Sequence, residues 1–137
     1  MLSRRPKPRD PVASVTAVHT TITKILRFDA AHCLPDHEGA CRRLHGHTYT
    51  AEVTVEGSLQ QEGPASGMVM DFADLGATVH RLVIQPLDHT YLNEVLDFVP
   101  TAEAIAGWMF RTLVEAGVSV VKVRLWETPS SFAEVTA

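Results

Sequence analysis

The chain reads as an α+β domain in which one antiparallel sheet carries two helices on a single face. Three observations predict it. Two long segments alternate apolar and polar residues with the period of two that a half-buried strand requires. Two later segments space apolar residues at helical intervals behind a capping residue. A valine-rich alternating segment and a short edge strand then close the chain, so the order of elements is ββααββ.

The first strand begins at Thr20. Leu26, Phe28 and Ala30 share one face, Lys24 is the exception on that side, and Ile25, Arg27 and Asp29 face the other way. His32 falls in phase with the apolar side. After the loop "LPDHEGACRR", a second strand runs from about Leu44 to Glu56, with His45, His47, Tyr49, Ala51, Val53 and Val55 on one face and Thr48, Thr50, Glu52, Thr54 and Glu56 on the other. "GSLQQEGPASG" is a loop and Met68–Met70 a short strand end. Asp71 caps a helix with Phe72, Leu75, Val79, Leu82 and Val83 at helical spacing, and Pro86 ends it. "LDHTYLNEVLDFVP" is a connection with some turn structure. The second helix begins near Thr101, carries Ile105, Met109 and Leu113 on one stripe, and stops at Gly117. In "SVVKVRLWETP", Val121, Val123, Leu125 and Glu127 are in phase, and residues 132–136 form a last edge strand. A sheet this short of chain has long exposed edges, and pairing with other subunits is one way to protect them.

Composition limits the functions open to the chain. It has 137 residues, with 12 basic against 16 acidic side chains and a formal charge of −4, which argues against nucleic acid as a partner. No apolar run approaches the roughly 20 residues needed to span a bilayer. The start, "MLSRRPKPRDPVASV", lacks the apolar core of a signal peptide, and the two cysteines suggest no disulfide framework, so the expected compartment is the cytoplasm. Residues 1–18, with three prolines and no periodicity, read as a flexible arm before a single domain at 19–137.

Seven histidines are the unusual excess. On a strand, residues i and i+2 point to one face, so His45 and His47 can reach a single ion, and His32 ends a neighbouring strand on its apolar face. Three imidazoles leave a fourth position open, as catalytic rather than structural zinc requires; the plainer reading is a set of hydrogen-bonded core or surface histidines. Cys41 is either an inert buried thiol or, with Arg42, Arg43 and a metal nearby, a thiolate fit to act as base or nucleophile. Cys33, beside His32 but on the opposite side of the strand, reads as packing. Asp88-His89 is either an exposed loop pair or a dyad in which the carboxylate fixes the imidazole tautomer. Glu127 continues an apolar face, where an unpaired carboxylate is costly; it either meets a partner, such as the paired N–H groups of a guanidine-like heterocycle, or lies at the strand's solvated end. His19, His37 and His80 read as surface residues.

Together, "FDAAH" (28–32), "CRRLHGHTY" (41–49), "GMVMDFADL" (67–75), "LDHTYLN" (87–93), "PTAEAIAGW" (100–108) and "WETP" (126–129) resemble the 6-pyruvoyl-tetrahydropterin synthase/6-carboxy-tetrahydropterin synthase family, in the family's order and over most of residues 24–130. The resemblance implies a tunnelling fold (T-fold) of ββααββ subunits, assembled as a hexamer from two trimers. It implies zinc on His32, His45 and His47, catalysis by Cys41, Asp88 and His89 with the Asp-His pair coming from an adjacent subunit, and a pterin ring held by Glu127, with Thr101 and Glu103 lining its pocket. The implied substrate is 7,8-dihydroneopterin triphosphate, with Lys24, Arg27 and Arg43 as candidates to hold the triphosphate. Cys33 stands where many relatives carry a basic residue. "FDAAHCLP", the short "CRRLHGH" and "WETP" are most similar to bacterial members that make the 6-carboxy product for 7-deazaguanine and queuosine synthesis.

Overall fold

Two strands of 13 residues each, β1 (Thr20–His32) and β2 (His45–Gly57), pair antiparallel along their whole length, from Thr20 opposite Gly57 to His32 opposite His45. The computed structural model describes residues 18–137, so the arm expected over 1–18 lies, Val18 apart, outside the described residues. Between the strands, residues Ala40–Arg42 form a single 3₁₀ turn. A short helix α1 (Phe72–Val79), a two-residue strand β3 (Thr90–Tyr91), one helical turn α2 (Leu92–Val95) and a longer helix α3 (Ala102–Glu115) follow. Strands β4 (Val120–Thr128) and β5 (Ser131–Thr136) complete a five-stranded sheet in the order β3-β1-β2-β4-β5.

The helices begin where the sequence places them. The Asp71 carboxylate accepts the Ala73 amide at 2.7 Å, and the Thr101 hydroxyl accepts the Ala104 amide at 3.1 Å; each satisfies an otherwise orphaned N-terminal donor. Gly117, at φ +84°, takes the left-handed conformation that terminates α3. The core lies between the sheet and its helices. Phe28, Tyr49, Ala51, Val53, Val123 and Leu125 from the strands meet Leu75, Val79, Ile105, Met109 and Leu113 from the helices. Lys24 sits on this face because its aliphatic stem crosses Gly76 of α1: a Cβ on Gly76 would stand 2.9 Å from Lys24 Cε.

The structure departs from the sequence reading in the sheet and in the first helix. The sheet is mixed: β3 runs parallel to β1 through Ala30–Thr90 and Ala31–Tyr91, because the chain crosses back by α1 before meeting that edge. Two residues are too few to leave a period. The first helix does not continue regularly to Pro86; at His80 it widens into a π turn through Ile84, closed by the Gln85 amide on the His80 carbonyl at 2.7 Å. The wider turn advances the helical phase so that Val83 and Ile84 are both buried, while Phe72, which belongs to the expected apolar stripe, is 55% exposed. Among the described residues no helix is long and apolar enough to cross a membrane.

Met109 is fully buried at the centre of the helix–sheet contact. Met109→Ala is expected to lower unfolding free energy by about 2–5 kcal/mol; urea denaturation followed by circular dichroism measures it.

Candidate metal centre and active site

The β1–β2 register builds the site. His32 lies opposite His45 and Ala30 opposite His47, so three imidazoles gather on the helix-facing side at the end of the strand pair. Ring centroids are 4.5 Å (His32–His45), 4.8 Å (His45–His47) and 5.1 Å (His32–His47) apart. His32 is fully buried, and the phenol ring of Tyr49, two residues beyond His47, packs against both His32 and His47. Tyr49 in turn stacks on Phe28 with centroids 4.8 Å apart. Burial, with the Glu127 carboxylate adding to it, pushes the Tyr49 phenol up, so it stays protonated at neutral pH.

Two backbone carbonyls fix the tautomers. His32 Nδ1 stands 2.8 Å from the Pro100 oxygen, and His45 Nδ1 stands 2.6 Å from the Arg43 oxygen. A carbonyl only accepts, so both Nδ1 atoms carry hydrogen and both Nε2 atoms present lone pairs. Those two Nε2 atoms face each other at 2.9 Å. Bare lone pairs at that distance repel, and a cation between them removes the conflict. His47 Nε2 is buried without a hydrogen-bond partner. Glu127 Oε1 stands 3.3 Å from it, within ion-pair range but not in hydrogen-bond alignment. Burial pushes the His47 imidazole below 6.5, outweighing the upward pull of Glu127, and so favours the neutral, ligating form. All three ligand nitrogens lie within 4.8 Å of one another. The donor set fits a transition-metal ion: three neutral imidazole nitrogens, two of them oriented from behind by carbonyls.

Glu127 follows Val123 and Leu125 along β4 and lies at an irregularity in the ladder. On β4, Trp126 pairs with Phe132 and Thr128 with Ser131, leaving Glu127 as the extra residue of a bulge. Bulges re-aim side chains beside functional sites. A cleft of about 580 Å³ opens beside Glu127 and His47, lined also by Arg27, Gly46, Thr48, Thr50, Trp126, Thr128 and Pro129. Gly46 is not forced by crowding, since an added Cβ would meet the Ala30 oxygen at an ordinary 3.6 Å; its missing side chain leaves the cleft open.

Asp88 and His89 form a second group at the β3 edge. The two side chains meet directly, His89 Nδ1 to Asp88 Oδ1 at 2.9 Å, although neighbours in sequence usually diverge. His89 adopts φ +58°, rare for a residue with a Cβ. Two bonds to one residue of β1 hold it there: the His89 amide donates to the Asp29 oxygen at 2.6 Å, and Asp88 Oδ1 accepts the Asp29 amide at 3.0 Å. The Asp29 carboxylate itself accepts from Thr48 at 2.5 Å.

The structure therefore gathers His32, His45, His47 and Glu127, and separately Asp88 with His89. It does not bring Cys41 to either group: that residue sits half-buried in the 3₁₀ turn, its carbonyl accepting the Leu34 amide at 2.7 Å. Thr101 acts as the α3 cap, Glu103 is exposed in that helix's first turn, and neither lines the cleft. Cys33, expected to pack, has its thiol 3.2 Å from the Tyr91 hydroxyl, and Asn93 bonds both its amide and its carbonyl at 2.9 Å. Sequence reasoning missed the backbone roles of Pro100, Arg43 and Asp29, which leave no side-chain signal. Tyr49 was legible only as core.

This geometry first defines a class: α+β proteins with a five-stranded mixed sheet and a three-histidine cluster at the end of a strand pair. Comparison with known proteins gives the family. The family model described as 6-pyruvoyl tetrahydropterin synthase matches residues 21–137. The chain is 50% identical over 115 residues to the 6-carboxy-5,6,7,8-tetrahydropterin synthase of Synechocystis sp., covering 82% of this chain and 89% of that one. It is 36% identical over 135 residues to the protein of the same name from Haemophilus influenzae, covering 82% and 96%. Among solved structures, the 6-pyruvoyl tetrahydropterin synthase of Caenorhabditis elegans superposes with a TM-score of 0.74 at 29% identity, covering 88% of this chain and 96% of that one. The chain belongs to the 6-pyruvoyl tetrahydropterin synthase family.

The Asp29 amide, and secondarily His89, hold the Asp88 carboxyl below its ordinary 3.8. A lowered carboxyl contributes stability above the unfolded value and loses it as pH falls through the folded one. Asp88→Asn should therefore be less stable than the parent at pH 7, with the difference shrinking below pH 3.8. Urea midpoints at both ends of that range test the expectation.

Proposed function

We propose that the chain is a zinc-dependent 6-carboxy-5,6,7,8-tetrahydropterin synthase. In this reading it converts 7,8-dihydroneopterin triphosphate and water to 6-carboxytetrahydropterin, acetaldehyde and triphosphate, in the cytoplasm and on the route to 7-deazaguanine bases such as queuosine. The observation that carries it is the convergence of three imidazole nitrogens, one of which, on His47, stands beside Glu127 in the lining of the cleft. The 50% identity to a relative bearing the 6-carboxy name favours that product over the pyruvoyl one.

His32, His45 and His47 hold the zinc, and bound zinc supplies Lewis-acid polarisation of the substrate's side-chain hydroxyls. Glu127 accepts the paired N–H donors of the pterin ring. Cys41, as thiolate, takes a proton from carbon. His89 exchanges protons with oxygen through Nε2, because Asp88 occupies its Nδ1. Within one chain the Asp-His pair has no bond to Cys41, which fits a site completed by a neighbouring subunit in a hexamer of two trimers. Ile25 and Phe132, 55% and 47% exposed, are apolar surface such an assembly would cover.

Zinc-loaded protein incubated with dihydroneopterin triphosphate should release acetaldehyde and triphosphate together. Triphosphate without acetaldehyde would indicate the pyruvoyl reaction, and no turnover a pterin- or zinc-binding module. His45→Ala should lower zinc affinity by at least about 100-fold, read by metal analysis after dialysis against a chelator. Cys41→Ala should retain zinc and lose about 100-fold or more in kcat; unchanged turnover would remove Cys41 from the mechanism.

A further inference from the structure

Three basic residues compete to hold the substrate's phosphate chain, and their places in the fold separate them. Lys24 lies on the helix-facing side of β1, its stem against Gly76 of α1, away from the cleft. Arg43 lies after the 3₁₀ turn, sharing a surface hollow with Glu38, Gly39, Ala40 and Arg42. Only Arg27 lines the cleft that His47 and Glu127 share. It stands opposite Thr50 on β2, on the face of the sheet turned away from the helices. Among the described residues no carboxylate lies within 4 Å of its guanidinium, whereas Arg124, on the same face, is paired with Glu134 at 2.8 Å. The hydroxyl-bearing residues Thr48, Thr50 and Thr128 line the same cleft.

The lining of this cleft carries both kinds of group. A carboxylate and an imidazole, Glu127 and His47, suit a neutral heterocycle that offers N–H donors. An unpaired guanidinium, Arg27, from the opposite face of the sheet suits a phosphate chain, because its planar fork matches phosphate oxygens in pairs. We propose that Arg27, supported by Thr50 and Thr128, is the polyphosphate subsite of this cleft and the residue by which the protein selects a phosphorylated pterin over the free pterin alcohol. The assignment deepens the synthase reading and rests on it for the identity of the pterin, though not for the anion chemistry.

The test uses inorganic tripolyphosphate titrated calorimetrically into the metal-loaded full-length protein, beside steady-state kinetics on dihydroneopterin triphosphate. Arg27→Met should weaken tripolyphosphate binding by about tenfold or more, the usual effect of losing a charge-assisted hydrogen-bonding partner. Its kinetic loss should fall on KM, and Arg27→Lys should recover part of both. Lys24→Met and Arg43→Ala should bind tripolyphosphate as the parent does. Unchanged binding by Arg27→Met, or an equal loss in Arg43→Ala, would overturn the assignment. Arg27-dependent tripolyphosphate binding without turnover of the pterin would leave the subsite standing and refute the synthase reading instead.

Discussion

In an antiparallel ladder, a slip of one residue turns every side chain of a strand to the opposite face. Between β1 and β2 such a slip would undo the core and the imidazole cluster together. Phe28, Ala30 and His32 alternate in phase with Tyr49, His47 and His45, so the period that buries the aromatic pair also aims the three histidines at one point. The hydrophobic core thus enforces the geometry of the polar site. Phe28 and Tyr49 stack directly beneath it, and their burial resists any shift in register.

Orientation comes from a different source. Two of the three strand histidines are turned by carbonyls outside the ladder: Pro100, just before α3, for His32, and Arg43, just before β2, for His45. Docking of α3 therefore bears on a ligand tautomer, since the cap at Thr101 adjoins the carbonyl that fixes His32. Asp29 plays a comparable role for the Asp88-His89 pair, gripping the loop by its own amide and carbonyl while its carboxylate engages Thr48. The segment Asp29–His32 supports both groups, one on each face of β1.

Much of this was legible because a period of two is unambiguous over 13 residues. His32, His45 and His47 could be placed on one face from spacing alone, and Glu127 from its phase with Val123 and Leu125. What could not be read depends on irregularity or on backbone. The bulge at Glu127 is a property of β5 pairing, the π turn after Val79 alters helical phase without any proline or glycine at that point, and β3 is too short to show alternation. The contact between Asp88 and His89 requires a left-handed residue that nothing in "LDHTY" announces. Thr101 carries a helix-capping signal as strong as any pocket signal, and in this chain the cap is the role its hydroxyl fills.

The central claim is that strand register converges Nε2 of His32, His45 and His47 on one metal ion. Anomalous diffraction across the zinc edge from crystals of the zinc-loaded protein tests it most directly. The account predicts a single peak per chain on the β1–β2 strand end, bonded by those three Nε2 atoms at about 2.0–2.1 Å. A peak ligated through Nδ1, or one lying at the Asp29–Asp88–His89 group with the three-histidine site empty, would contradict it.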